Sequence, residues 1–338
     1  MDHVRKPMLR VHQTSVKSGI RRSPEFERKG LASFAVNVGR ACGHDCTYCS
    51  SKAIYRRLPV FKQLGESPFG HGYCIVDPNV PVMVARDAQH MKRRGLVQMC
   101  TLTDAWAPEC QPYQVGRRCL EALLAQPHWT VRILTKNAAV QDDFDVIAKH
   151  RDRVLVGLSI TAAPNRGRLI SVLEPYASSI EDRMAAMVKA SRASLRTYAM
   201  FCPLMPGIAD SPDTIEDLIR FAVECKVGEV FVEPVNARGK GLGNCQAALA
   251  SNGFHREAHA IDRIRTREAW SSYVLELVTH VQRIMRERSE IKKLRFLLYP
   301  SNLLTDHAAL IRRDDVGVVW LGEAPPAQTP WPEEDIPF

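Results

Sequence analysis

Val38-Gly-Arg-Ala-Cys-Gly-His-Asp-Cys-Thr-Tyr-Cys49 sets three cysteines, Cys42, Cys46 and Cys49, at C-x3-C-x2-C spacing directly after a strand-like segment, residues 31–38. Thiolates are what iron–sulfur clusters bind, and close spacing lets one short loop wrap a corner of the cube. Three of them hold three irons of a [4Fe–4S] cluster and leave the fourth iron without a protein ligand, which makes a reaction centre rather than an electron wire. Zinc is the competing reading. A tetrahedral zinc site needs a fourth ligand, and His44 or Cys74 would supply it. Zinc ribbons usually present two separated C-x2-C pairs, and this chain has no second pair.

Beyond the cysteines, apolar runs alternate with helical patterns. Strand candidates are residues 31–38, 96–103, 130–135, 154–160, 195–201 and 229–233. Helical stretches follow at about 114–125, 140–149, 180–191, 213–225 and 270–288. Such alternation predicts a parallel sheet with crossover helices. Six units fit an open doubly wound sheet or an incomplete barrel. Thr103, Asp104, Lys136, Ser159 and Glu233 fall at or just past strand C-termini, where barrel folds assemble their sites. The expected fold is therefore α/β, a partial (β/α)6 TIM-type barrel over residues 31–300. A basic N-terminal extension, 1–30, precedes it, and a short C-terminal segment, 301–338, ends in a Pro-rich acidic tail. Residues 50–95 form an insertion that the pattern leaves unassigned.

The chain has 338 residues, 45% hydrophobic and 25% charged, the composition of a globular protein. No apolar run of about 18 residues appears, so no membrane partner is expected. The first 30 residues lack the apolar core of a secretory signal. Ten cysteines spread through a long chain, only three of them closely spaced, fit reduced thiols in the cytoplasm. Net charge is +9. Residues 1–30 carry eight Lys/Arg against three acids, and a second basic cluster comprises Arg283, Arg286, Arg288, Lys292, Lys293 and Arg295. Both point toward a phosphate-rich partner, DNA or RNA; a solvated helix face plus a loose arm is the plainer alternative.

The cysteine loop, with Tyr48 just before its last cysteine, resembles that of the radical S-adenosylmethionine (SAM) enzymes. Thr130-Val-Arg-Ile-Leu-Thr-Lys136, Val156-Gly-Leu-Ser-Ile160, Leu173-Glu-Pro-Tyr-Ala-Ser-Ser-Ile-Glu-Asp-Arg183 and Met200-Phe-Cys-Pro-Leu-Met-Pro-Gly-Ile-Ala-Asp210 narrow the resemblance to the spore photoproduct lyase and DNA repair photolyase-like group, over about residues 31–235. The resemblance implies a [4Fe–4S] cluster on Cys42, Cys46 and Cys49, and SAM chelated to the open iron. One electron, from a low-potential donor of flavodoxin or ferredoxin type, would release a 5′-deoxyadenosyl radical. It implies Lys136 and Ser159 near SAM, Tyr48 by the adenine and Thr103 among the cofactor-binding residues. Glu174 and Arg183 are expected as a structural ion pair. In the spore enzymes a strand-two Cys-Thr-Ser-Asp segment returns a hydrogen atom to the product. Here Met99-Cys-Thr-Leu-Thr-Asp104 has one residue more, so either a bulge absorbs it and Cys100 is the donor, or Cys100 turns into the barrel wall. Cys74 and Cys110 are further candidates. The C-terminal third departs from the spore enzyme. Its Arg238-Gly-Lys-Gly-Leu-Gly-Asn244 stretch reads as a connector, or as a weak phosphate cradle without Walker spacing.

The leading functional expectation is a radical SAM enzyme of lyase-like type acting on a nucleic-acid-type substrate. A radical SAM enzyme that modifies a peptide or partner protein is one alternative. A non-catalytic zinc- or cluster-containing nucleic-acid-binding protein is the other.

Overall fold

The computed structural model describes residues 8–236 and 240–322. Its strands are β1 (Arg10–Gln13), β2 (Arg21–Arg22), β3 (Phe34–Val36), β4 (Gly39–Ala41), β5 (Tyr73–Val76), β6 (Leu96–Met99), β7 (Thr130–Thr135), β8 (Val154–Ser159), β9 (Arg196–Leu204), β10 (Glu229–Pro234), β11 (Leu294–Leu298) and β12 (Val318–Trp320). The main sheet runs β12-β11-β10-β9-β8-β7-β6-β3-β2, parallel throughout except where β2 meets β3. Six strands adjacent in the sheet, β3 and β6 to β10, match the six expected units and form a partial barrel. The sheet then continues through β11 and β12, two parallel strands that the sequence pattern does not predict.

Alternation along each strand separates two faces. Ala199, Phe201, Val230, Val232, Phe296 and Leu298 face outward into the main core. They pack there with residues of the helices Pro212–Glu224 and Arg267–Glu287. Tyr198, Met200, Phe231 and Leu297 face inward, with Leu31 and Leu321. Gly157 is required by this inner layer. The Tyr198 ring lies across it so closely that a Cβ would come within 2.2 Å of the ring, while the Tyr198 hydroxyl donates to the Ile133 carbonyl at 2.8 Å.

The insertion 50–95 supplies two short helices, Ser51–Tyr55 and Pro59–Leu64, strand β5, and the helix Val80–His90. Strand β5 is the centre of a separate three-stranded sheet, β1-β5-β4, so residues 10–13 of the basic N-terminal stretch are paired backbone. The first expected strand is also divided. β3 ends at Val36 and the chain bends at Asn37 to enter the side sheet as β4.

The second basic cluster is tied down. Arg283 pairs with Glu287, Arg286 with Asp314, Arg288 with Glu216, Lys293 with Glu290 and Arg295 with Glu229. Five of its six cations are thus paired locally among the described residues, with Lys292 the exception, which weakens it as a phosphate-binding face. Residues 1–7 of the basic stretch, Arg238 and Gly239 of the Gly-rich stretch, and tail residues 323–338 lie outside the described residues. Among the described residues no helix is long and apolar enough to cross a membrane.

Candidate active site

The cysteine loop leaves β4 and is fixed on three sides. Asp45, at φ 50°, turns its carboxylate to Lys52 (3.0 Å), His71 (2.8 Å) and the Gly72 N–H (2.7 Å). The Gly43 N–H donates to Glu109 Oε1 at 2.8 Å, and a Cβ on residue 43 would lie 2.1 Å from Glu109 Oε2, so a side chain there would have to push this carboxylate aside. Thr47 meets Cys245 of the helix Gly241–Ser251 at 3.2 Å, which places the described part of the Gly-rich stretch against the cluster loop.

His44 forms the third tether. It is buried, and Nε2 donates to Asp104 Oδ2 at 2.9 Å while Nδ1 donates to the Tyr176 carbonyl at 3.2 Å. Burial alone would lower its pKa, but the adjacent Asp104 carboxylate outweighs this and raises it. An imidazole donating from both nitrogens is protonated and has no lone pair for a metal. His44 is thus a strut, not a fourth ligand. Cys74 lies buried in β5 with its thiol toward the Arg10 carbonyl.

Asp104 is the other end of that strut. Besides His44 it accepts from Thr135 Oγ1, the Lys136 N–H and the Trp106 N–H, each at 2.9 Å. One carboxylate therefore locks the cluster loop to the end of β7. Asn37 acts similarly on the preceding strand. Its Oδ1 accepts from the N–H groups of Thr101 (3.0 Å), Leu102 (2.8 Å) and Thr103 (3.3 Å). This wraps the loop after β6, and Cys100 enters it in the left-handed region at φ 48°. Strand β6 keeps its register with both neighbours to Met99, with no bulge. The Thr103 hydroxyl is occupied, accepting from the Val38 N–H at 3.1 Å and donating to Asn37 at 3.3 Å.

A cavity of about 310 Å³ opens at the C-terminal ends of these strands, and Cys42, Cys46, Cys49, Cys100, Tyr48, Thr103, Lys136 and Ser159 all line it. Lys136 Nζ donates to Ser159 Oγ at 2.6 Å and to the Cys202 carbonyl at 3.0 Å, pairs with Glu174 at 3.1 Å, and lies 5.6 Å from the centre of the Tyr48 ring. Glu174 also binds Arg183 at 2.6 Å, Thr161 at 3.0 Å, and the Tyr48 hydroxyl. Ser179 caps the helix Ile180–Arg192 by accepting from the Asp182 N–H and so aims Arg183 inward, where it also reaches the Ser159 carbonyl at 2.7 Å. The expected Glu174–Arg183 pair is present and fully buried. Cys202, quoted in the sequence but not singled out as a site residue, also lines the cavity. Cys110 is buried against the Asp104 carbonyl and is absent from the cavity wall.

The donor set suits the cluster. All ten cysteines are free, and the cluster trio is brought to one wall. Among the described residues no three His, Cys, Asp or Glu side chains converge as a single metal ion requires. Ligands spread over three irons do not need such convergence. Burial pushes the Cys42 and Cys46 thiols up, so ligation has to displace their protons.

The radical SAM superfamily profile matches residues 36–222, more than half of the chain. The chain belongs to the radical SAM superfamily. Among curated relatives, ORF301 of Acidianus two-tailed virus is 25% identical over 64% of this chain and 71% of its own. Rv2578c of Mycobacterium tuberculosis is 24% identical over 70% of this chain and 68% of its own; both carry the description "uncharacterized". Among solved structures, spore photoproduct lyase complexed with dinucleoside spore photoproduct superposes with a TM-score of 0.56 at 14% identity, over 82% of this chain and 79% of that one. A further structure of that lyase, with AdoMet bound, gives a TM-score of 0.52 at 15% identity, over 76% and 74%. At these identities the likeness shows the fold, a partial TIM barrel with a parallel sheet. As a radical SAM enzyme the protein uses a [4Fe–4S] cluster and SAM.

Proposed function

We propose that this radical SAM enzyme acts on a nucleic-acid-type substrate that enters over the cationic rim of the cavity. When bound, the cluster and SAM supply a 5′-deoxyadenosyl radical, given one electron from a low-potential donor of flavodoxin or ferredoxin type. The protein's role is placement. Cys42, Cys46 and Cys49 hold the cluster. Lys136, steered by Ser159 and Glu174, presents an ammonium to the SAM carboxylate. Tyr48, pinned through its hydroxyl, offers a ring face on the adenine side, and Thr103 keeps the loop after β6 folded at the same wall. Cys100, 4% exposed on that wall, is the thiol we assign to return a hydrogen atom to the substrate radical. Ten free cysteines suit the reducing cytoplasm.

The observation that carries the substrate class is the charge beside the cluster loop. From Cys46 to Gly65 the chain has Lys52, Arg56, Arg57 and Lys62 and no acid. Arg56, Arg57 and Lys62 are exposed, and Arg40 and Lys52, the latter paired with Asp45, line the cavity. Exposed cations without partner acids favour a polyanion through counterion release.

Two measurements test the proposal. Anaerobically reconstituted, reduced protein given SAM should release 5′-deoxyadenosine, and Cys46→Ala should abolish both this and the cluster absorption. Binding to single-stranded DNA or RNA should weaken with salt. Replacing Arg56, Arg57 and Lys62 together by Ala should flatten that log–log slope by about 2, since each phosphate contact contributes about 0.7 on a single strand. Binding absent at low salt would remove the nucleic-acid substrate while leaving the SAM chemistry intact.

A further inference from the structure

Some of the cavity wall comes from outside the matched core: Lys29 and Phe26 from the N-terminal segment, and Glu233 from the end of β10. Lys29 is 8% exposed. Its ammonium lies 3.7 Å from Glu25, 5.2 Å from the centre of the Phe26 ring and 5.7 Å from that of Tyr299. Among the described residues it makes no shorter polar contact. Glu233 is similarly under-used: among the described residues its carboxylate is met by the Cys202 thiol at 3.4 Å, a weak donor. Lys29 and Glu233 attract each other yet do not close into an ion pair. A charged donor and a charged acceptor thus share one cavity with their hydrogen-bonding capacity unspent. A buried ammonium such as Lys29, facing a half-buried carboxylate, is costly in that state unless a ligand completes it.

We propose that Lys29 and Glu233 read the edge of a nucleobase, the ammonium donating to a ring carbonyl or ring nitrogen and the carboxylate accepting from the neighbouring N–H. A neutral group carrying a donor beside an acceptor satisfies both partners without adding charge, and the Phe26 ring on the same wall offers a face for stacking. A primary amide has the same pattern, but the cationic rim favours the base. The assignment rests on the nucleic-acid reading of the site and gives it the residues that recognise the base.

The test is binding by the reconstituted holoenzyme, with SAM, of a short fluorescent oligothymidylate and of an abasic strand of equal length. Wild type should prefer the base-bearing strand by about tenfold, the range of one well-made base contact. Glu233→Gln and Lys29→Met should each reduce that preference to near unity and leave the abasic affinity and the salt slope unchanged. Lys29→Met retains an apolar stem between Phe26 and Tyr299. Methylating N3 of the thymines, which removes the N–H, should cost wild type the same tenfold and needs no variant to fold. A preference that survives both substitutions or N3 methylation overturns the inference alone. Failure of wild type to bind either strand overturns it together with the nucleic-acid reading. Glu233-dependent displacement of the oligonucleotide by a glutamine peptide assigns the clamp to an amide instead.

Discussion

Glu174 sits where a carboxylate should not be ionised. Burial pushes its pKa up, but Arg183 and Lys136, with the Tyr48 hydroxyl, outweigh burial and bring it to about 2, against an ordinary value of 4.5. Folding therefore favours the ionised form. That contribution, on the order of 3 kcal/mol, is fully present above about pH 5 and is lost as pH falls toward 2. Glu174→Gln leaves Arg183 buried without its counter-charge and should cost about 3–5 kcal/mol at pH 7, read as a fall in the denaturation midpoint. An unchanged midpoint would show that the network is dispensable. Glu109 behaves in the opposite sense. Burial raises it to about 7, the Gly43 N–H offsets only a fraction of this, and its Oε2 has no partner. Folding here favours the neutral acid, so its contribution is full below pH 4.5 and disappears as pH rises through 7. In cluster-free protein, Glu109→Gln should therefore be more stable than wild type at pH 8, by up to about 3 kcal/mol, and equal to it near pH 4.5. Parallel pH profiles for the two proteins would refute this.

At the scale of elements, two side chains hold the strand ends in register. Asn37 satisfies three backbone N–H groups after β6, and Asp104 joins the cluster loop to β7. Asn37→Ala leaves those donors without an internal partner and should cost roughly 2–4 kcal/mol. Its signature would be faster proteolysis within 100–104 rather than a global change, and unaltered cleavage there would count against the role given to Asn37. Asn37 was not legible in the sequence, because it acts on a segment 64 to 66 positions away; Asp104 was legible only as a strand-end carboxylate, because its partners His44 and Thr135 lie 60 and 31 positions away. Lys136 and Ser159 were legible because strand ends are where a barrel exposes polar groups, and β7 follows its apolar run residue for residue. Strand β5 escaped because all four of its residues are buried and it pairs outside the main sheet, so it shows no alternation. Strand β1 is Arg-Val-His-Gln, which on propensity alone is barely a strand. His44 stands as a candidate fourth ligand only in the competing zinc reading, because spacing displays a ring nitrogen without displaying Asp104, the partner that occupies it.

For the whole molecule, the question is whether the N-terminal segment is an appendage or integral to the fold. Its basic composition suggests an arm, but its buried contacts make it structural. Val16 and Ile20 are each 4% exposed. The Val16 N–H donates to buried Asp77 at 2.6 Å, and the Gly19 and Ile20 N–H groups donate to Asp87 at 2.7 and 3.1 Å. Strand β1 covers one edge of β5, and β2 covers the edge of β3. Deleting residues 1–30 forfeits the burial of the Val16 and Ile20 side chains, at about 1.5–3 kcal/mol each. It also strips a buried carboxylate of a donor, for about 1–3 kcal/mol more. Together these approach the entire stability of an ordinary domain. The truncated chain should therefore lose cooperative unfolding or become insoluble. Arg10→Ala, which removes only the exposed contact with Glu66, should cost less than about 1 kcal/mol. Calorimetry of the two proteins side by side decides the matter. A truncated chain that keeps its transition temperature and its iron content would show the segment to be an arm after all, and a loss of binding in that protein could then be assigned to lost charge rather than to a damaged fold.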